Sequence, residues 1–260
     1  MTAPLVIAHR GNSSAAPENT LASFESALAI GATLVECDVQ MTGDGHIVVI
    51  HDPTLDRTAD RTGDVRTLSL AQVQAADVSY PKNFGSRFSP QRVPTLGEVL
   101  AFVKGRARLM LEIKKESSQM NSDEFERRIA AAMVKSGVRI SPDMGTDIAV
   151  LSFSTPILER MAAILPRAPR GHLFYRDPEE TLFAAAERVG ASFVMPEKGH
   201  LSPGLLERAR QRNLGVATWV CDDPVEFRQL STLGLLGIGT NRPAEMIDLA
   251  RPVAATPSRV

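Results

Sequence analysis

From Leu96 to Ala250 the sequence repeats one pattern, an amphipathic helical stretch followed by a short apolar run. Helix 96–104 precedes strand 108–113, helix 123–136 strand 148–152, and helix 155–165 strand 171–174. Helix 178–189 leads to strand 192–195, helix 203–212 to strand 214–220 and helix 223–232 to strand 235–239, before a closing helix at 243–250. Upstream, runs at 5–9 and 34–39 flank a helix face of Leu21, Phe24, Ala27, Leu28 and Ile30, which brings the strands to eight. Strands this short and this apolar are buried on both faces, as in a parallel sheet covered by its crossover helices. Eight such units in 260 residues match an α/β protein of the (β/α)8 type, a TIM barrel. A doubly wound open sheet is the alternative, but no Gly-rich fingerprint follows the first strand. Residues 1–250 are expected to form a single barrel domain, and 251–260, with Pro252, Pro257 and Ser258, a frayed tail.

One stretch departs from the repeat. Leu34 to His51, LVECDVQMTGDGHIVVIH, runs into Thr42-Gly43-Asp44-Gly45 and returns as Ile47-Val48-Val49-Ile50. Asp-Gly between apolar runs predicts a β-hairpin. With Thr42 paired to Gly45, His51 falls opposite Glu36 and Val49 opposite Asp38. The two-residue period puts Glu36 and Asp38 on one face and Cys37 on the other. A cross-strand partner stays on that face, within about 5 Å. An isolated Glu-x-Asp is more often a solvated edge, but the flanks Leu34, Val35, Val39, Val48 and Ile50 are too apolar for one. From Asp52 to Pro94 the chain turns polar, with one short helical pattern at Ser69–Ala76, as expected of a small insertion over one end of the fold.

Catalytic residues of such barrels gather at the C-terminal ends of the strands, and polar residues fall there. His9 and Arg10 end the first strand, Glu36 and Asp38 the second, Glu112 and Lys114 the third. Ser152 and Phe153 end the fourth, Trp219 the seventh, and Thr240 and Asn241 follow the eighth. Alone, Glu112-x-Lys114 is a surface ion pair and Trp219 a core residue; together, at one end of several strands, they mark a site. His46, His172 and His200 read as turn or loop residues. The net charge of −1 gives no reason to expect nucleic acid or an anionic membrane as partner. Two cysteines make no disulfide framework, and no apolar run approaches the roughly 20 residues of a membrane span. The N-terminus, MTAPLVIAHRG, lacks a basic leader region, so a cytoplasmic location is expected.

The run His9-Arg10-Gly11, Pro17-Glu18-Asn19-Thr20, Glu36-x-Asp38, His51-Asp52-Pro53-Thr54-Leu55-x-Arg57-Thr58 and Glu112-Ile113-Lys114 resembles the glycerophosphodiester phosphodiesterases. The resemblance continues through Leu151-Ser152-Phe153, Trp219 and Thr240-Asn241-Arg242-Pro243, nearly the whole chain. It implies a (β/α)8 barrel with a small insertion after the hairpin and a divalent metal, Mg2+ or Ca2+, held by Glu36, Asp38 and Glu112. It also implies two catalytic histidines, His9 and His51, with Arg10 and Lys114 at the phosphate and Glu18 a polar position nearby. Two places depart from the family pattern. Asn241 stands where the family commonly has Asp, and Val220-Cys221-Asp222 where it usually has Thr-Val-Asn. Both put substrate preference in question more than the reaction.

A phosphodiester gains negative charge on its oxygens during displacement, and a hard cation in a carboxylate site can neutralise it. Arg10 suits a bidentate grip on phosphate and Lys114 adds a point charge. Two histidines can act as an acid–base pair, one on the nucleophile and one on the departing alkoxide. The reaction expected is hydrolysis of a small-molecule glycerophosphodiester to sn-glycerol 3-phosphate and an alcohol, with water or the glycerol 2-hydroxyl as nucleophile. Phe153 and Trp219 can lean over the barrel mouth and cover the glycerol carbons, with no aromatic cage for a choline headgroup. A lysophospholipase D-like activity is the nearest rival. It needs an exposed apolar lip, for which the insertion offers Val73, Val78, Tyr80, Phe84 and Phe88. A catalytically inactive ligand-binding barrel is disfavoured by the intact histidines and carboxylates.

Overall fold

The computed structural model describes residues 3–117, 122–142, 146–175 and 179–250. The tail expected at 251–260, and residue 178 at the start of one predicted helix, lie outside them. The strands are β1 (Leu5–Ala8), β2 (Leu34–Met41), β3 (Ile47–Val49), β4 (Arg108–Ile113), β5 (Ile148–Ser152), β6 (Arg170–Phe174), β7 (Phe193–Pro196), β8 (Gly215–Thr218) and β9 (Gly237–Thr240). All but β3, which has three residues, run four to eight residues. All but β3 pair in parallel, in the order β1-β9-β8-β7-β6-β5-β4-β2, and Ala8 of β1 meets Val35 of β2 to close the ring. The result is an eight-stranded parallel barrel. The helices that wrap it are α1 (Leu21–Ala29), α4 (Leu96–Val103), α5 (Glu124–Ser136), α6 (Thr155–Ile164), α7 (Glu179–Arg188), α8 (Pro203–Gln211), α9 (Pro224–Ser231) and α10 (Pro243–Ala250). Two shorter ones, α2 (Leu70–Gln74) and α3 (Pro81–Phe84), sit in the insertion.

The two-residue period of the strands sorts their side chains into layers. Val35, Cys37 and Val39 of β2 and Leu109, Leu111 and Ile113 of β4 face outward, into one core with Phe24 of α1, Leu100 of α4 and Ile129 of α5. Leu34 and Met110 face inward, with Ile7, Leu151, Leu173 and Ala217 plugging the barrel. One step further along the same inward rows come Glu36 and Asp38, then Glu112. Because Asp38 and Glu112 are register partners in a parallel pair, their side chains leave the sheet next to each other. The alternation read from the sequence is therefore what places the acidic residues above the barrel plug.

The hairpin differs from its predicted register. Val39 pairs with Val49, Gln40 with Val48 and Met41 with Ile47, one residue off the expected alignment. The loop holds three residues rather than two: Thr42 N donates to His46 O at 2.9 Å, and Gly45 adopts φ +83. A type I turn closed by a left-handed glycine is the common three-residue hairpin, and the Asp44 carboxylate, accepting from Thr42 Oγ1 at 2.6 Å, props it open. β3 ends at Val49, so His51 is no cross-strand partner of Glu36. It reaches the barrel mouth by leaving the sheet.

Residues 52–94 form a cap with an apolar cluster of their own, Leu55, Val65, Val73, Val78 and Val93 against Val48 and Ile50. Ser69 caps α2 in a reciprocal capping box with Gln72. α3, which the sequence did not signal, starts at Pro81 and carries Phe84, which packs edge-on against Tyr80 at 6.2 Å and Phe88 at 5.4 Å. His172 also corrects its sequence assignment. It lies within β6, 3% exposed, with Nε2 2.8 Å from Thr155 Oγ1 and its ring stacked on Phe174. A histidine with its ring nitrogens bonded is tolerated in a core.

Candidate functional site

The chain leaves β1 through a tight turn at His9-Arg10-Gly11, where Arg10 has φ +57 and Gly11 φ +83. A Cβ on Gly11 would stand 2.4 Å from Ser23 Oγ of α1, so only glycine lets the turn pack on the helix. Left-handed backbone at a non-glycine residue costs about 1–3 kcal/mol and concentrates at functional sites. Here it aims the Arg10 N–H at Glu36 Oε2, 3.0 Å away. The next loop carries Pro17-Glu18-Asn19-Thr20. Thr20 caps α1 by accepting from Ser23 N at 3.2 Å, and Asn19 turns back at φ +57 to grip Asp38. Its Nδ2 donates to Asp38 Oδ2 at 2.8 Å and its Oδ1 accepts from Asp38 N at 3.3 Å.

Glu36, Asp38 and Glu112 each offer one carboxylate oxygen within 4.8 Å of the other two, and all three are buried. Lys114 Nζ lies 2.9 Å from Asp38 Oδ1 and 2.6 Å from Glu112 Oε1, and Arg10 Nε 3.3 Å from Asp38 Oδ2. Three carboxylates this close cannot all ionise unaided. Burial, then Asp38 and Glu112, push Glu36 well above its ordinary range. Burial also raises Glu112, to about 7, although Lys114 opposes it. Asp38 goes the other way: burial would raise it, but Lys114 and Arg10 outweigh burial and hold it low. The all-oxygen donor set fits a hard divalent cation, whose ligands lie at about 2.0–2.6 Å. Asp38 Oδ1 is buried with no hydrogen bond of normal geometry, and the Lys114 ammonium 2.9 Å away occupies the place where such an ion's charge would act.

The two histidines flank this cluster. His9 Nε2 is 4.0 Å from Glu36 Oε2, and its Nδ1 lies 2.7 Å from Asn241 Oδ1. Burial, and then the charge of Arg10, lower His9 to about 4. The His51 carbonyl accepts from Gln40 Nε2 at 3.0 Å, and its Nδ1 lies 2.6 Å from Asp52 Oδ1. Burial again lowers it first, with Lys114 and Arg10 adding to the effect against the pull of Asp38. A chain of ion pairs joins the two sides: Asp52 to Arg57 Nε at 2.7 Å, Arg57 Nη1 to Glu18 Oε2 at 2.7 Å, and Glu18 Oε1 to Arg10 Nη1 at 2.9 Å. A cleft of about 360 Å3, lined by His51, Glu112, Lys114, Ser152 and Phe153, opens beside the carboxylates. Phe153 packs edge-on against Trp219 at 5.5 Å, and Trp219 Nε1 donates to Met195 O at 3.0 Å. A second cleft of about 370 Å3, mostly apolar, lies at the other end of the barrel around Leu5, Leu34 and Phe193, away from every group above.

Residues 9–245 match the model of the "Glycerophosphoryl diester phosphodiesterase family". The chain belongs to that family. It is an enzyme of the phosphoric diester hydrolase class. A glycerophosphodiester phosphodiesterase of Caldanaerobacter subterraneus subsp. tengcongensis is 31% identical over 247 residues, 95% of this chain and 98% of the relative. Among solved structures, the glycerophosphodiester phosphodiesterase of Agrobacterium tumefaciens aligns with a TM-score of 0.79 at 29% identity, over 95% of this chain and 100% of its own. An Oleispira antarctica phosphodiesterase, solved with the product sn-glycerol-3-phosphate, aligns with a TM-score of 0.81 at 26% identity, over 95% and 96%.

The structure brings His9, Arg10, Glu18, Glu36, Asp38, His51, Glu112 and Lys114 to one mouth of this family barrel, with Phe153 and Trp219 at its edge. Sequence reasoning passed over four residues that hold them: Asn19 on Asp38, Asp52 and Arg57 behind His51, and Asp222 behind Asn241. Three of them stood inside the quoted motifs and Asp222 inside a quoted departure from them, and a polar residue next to a site residue was the available signal. Tyr175 was passed over as well. Its ring lies 6.1 Å from Trp219 and is 49% exposed, so three aromatic residues, not two, rim the mouth.

Proposed function

We propose that this chain hydrolyses glycerophosphodiesters to sn-glycerol 3-phosphate and an alcohol such as choline or ethanolamine, with the help of Mg2+ or Ca2+. The observation that carries this is the buried triad of Glu36, Asp38 and Glu112 set between two histidines whose Nδ1 atoms are both engaged, at 2.7 and 2.6 Å. A hydrogen bond at Nδ1 fixes the ring and leaves Nε2 for chemistry. Glu36, Asp38 and Glu112 would hold the cation, which when bound supplies positive charge against the phosphate oxygens. Arg10 and Lys114 orient the phosphate, and Glu18 keeps Arg10 in place. His9 and His51 form the acid–base pair, one taking the proton of the nucleophile and the other delivering one to the departing alkoxide. Trp219 and Phe153 cover the glycerol carbons.

We further take residues 1–250 as one catalytic unit with 52–94 as its insertion, and place it in the cytoplasm. The free, buried thiols of Cys37 and Cys221 suit a reducing compartment. No helix among the described residues is long and apolar enough to cross a membrane. A lysolipid substrate is favoured by one feature, the exposed aromatic rim of Phe153 and Tyr175. Against it, Val73 and Val78 are buried in the cap, and Tyr80, Phe84 and Phe88 pack on one another. The test compares glycerophosphocholine with lysophosphatidylcholine and identifies the products. Release of sn-glycerol 3-phosphate from the first, at a kcat/KM well above that for the second, is expected. A preference for the lysolipid would overturn the assignment.

A further inference from the structure

The two histidines are held by different kinds of acceptor. His51 meets a carboxylate, but His9 Nδ1 meets the side-chain oxygen of Asn241, and an amide has a donor at its other end. Which end faces His9 is decided by Asp222. Asn241 Nδ2 donates to Asp222 Oδ2 at 2.7 Å, so reversing the amide would press its oxygen against a carboxylate oxygen. Asp222 is itself pinned, because its Oδ1 accepts from Asn241 N at 2.7 Å and from Thr240 Oγ1 at 2.9 Å. Ser13 Oγ lies 3.0 Å from Asn241 Oδ1 and 2.9 Å from the His9 carbonyl, with one proton to share between these two acceptors. An oxygen that can only accept requires a proton on the ring nitrogen opposite.

We propose that Asp222 and Asn241 are positioning residues: Asp222 sets the direction of the Asn241 amide, and Asn241 holds His9 as the Nδ1–H tautomer with the Nε2 lone pair turned into the carboxylate site. The proposal rests on His9 as the acid–base group, and it makes a prediction about residue exchange that this role alone does not. A carboxylate at 241 opposite Asp222 would set two anions 2.7 Å apart. With Asp222→Asn added, the contact is restored in reverse. The amide at 222 would donate through its nitrogen to the new carboxylate, and its oxygen would keep accepting from Thr240 and the 241 backbone. An amide at both positions lets Asn241 turn over, offer a donor to His9 Nδ1 and move the ring proton to Nε2.

The experiment uses the full chain with Mg2+, 15N-labelled at histidine, as wild type, D222N, N241D and the double exchange D222N/N241D. His9→Gln identifies the His9 signals. In the wild type and the double exchange, His9 Nδ1 should give a protonated, pyrrole-type resonance and Nε2 an unprotonated, pyridine-type one; in D222N the two should swap. Each single variant should lower kcat by about 10–100-fold, as loss of an orienting partner does. KM should change little, and the double exchange should recover most of the loss. A wild-type His9 found as the Nε2–H tautomer, or a double exchange no better than its singles, overturns the proposal. An active His9→Gln enzyme would instead remove His9 from the chemistry, and the tautomer result would stand apart from it.

Discussion

Metal affinity should depend on pH in a way that the acidic cluster fixes in advance. Glu112 is raised from an ordinary 4.5 to about 7 by burial, and Glu36 lies well above its ordinary range for the same reason. A carboxyl raised in the folded protein keeps its proton to higher pH than in the unfolded chain. The metal-free protein therefore loses this part of its stability as pH climbs from 4.5 through about 7. A cation that replaces the proton binds more tightly over the same interval. His9, lowered to about 4, works in the opposite sense, adding stability as pH rises towards 6.5, so affinity is a cleaner readout than melting temperature. With a midpoint near 7, Glu112 is about nine-tenths ionised at pH 8 and about one-tenth at pH 6. Its proton alone should weaken Mg2+ or Ca2+ binding about tenfold across that span, and release of a second from Glu36 would steepen the dependence further. Titration calorimetry in buffers of different ionisation enthalpy would give both the affinity and the protons released. An affinity unchanged between pH 6 and 8, with no proton release, would refute the assignment of these carboxylates as the ligand set.

His9→Ala and His51→Ala should each lower kcat by about 10²–10⁴, with the double variant little worse than either; a single variant with near wild-type kcat would remove that histidine from the mechanism. Trp219→Ala should weaken glycerophosphocholine, glycerophosphoethanolamine and glycerophosphoglycerol together. Their kcat/KM values should stay within about tenfold of one another, roughly 1.4 kcal/mol of transition-state binding, and a reordered series would place the headgroup, not the glycerol, against the aromatic rim. Asn19→Ala strips Asp38 of two partners and should cost about 1–3 kcal/mol in denaturant unfolding as well as weakening metal binding; unchanged stability would show that water replaces the amide.

The barrel was legible because its strands and helices follow two simple periods, and the inward row of Leu34, Glu36 and Asp38 follows from the strand period alone. The hairpin shows where such reading stops. Asp44-Gly45 fits a two-residue turn as well as a three-residue one, and the pairing of Thr42 with His46 decides between them. His51 still reaches the site, through Gln40 and Asp52 rather than through strand pairing. Supporting residues were harder to see, because their partners are far away in sequence. Asp222 and Asn241 entered as two separate departures from the family pattern, one amide and one acid each in the other's customary place. In the folded chain they are a single contact of 2.7 Å.

The central claim is that Glu36, Asp38 and Glu112 hold a divalent cation on which phosphodiester hydrolysis depends. Its most direct test is release of sn-glycerol 3-phosphate from glycerophosphocholine by chelator-stripped enzyme, followed as Mg2+ or Ca2+ is added back to wild type and to Glu36→Gln. Stripped wild type should be silent and recover with the ion, while Glu36→Gln, folded but lacking one ligand charge, should stay silent throughout. Full turnover by exhaustively stripped wild type, or a normal response from Glu36→Gln, would contradict it.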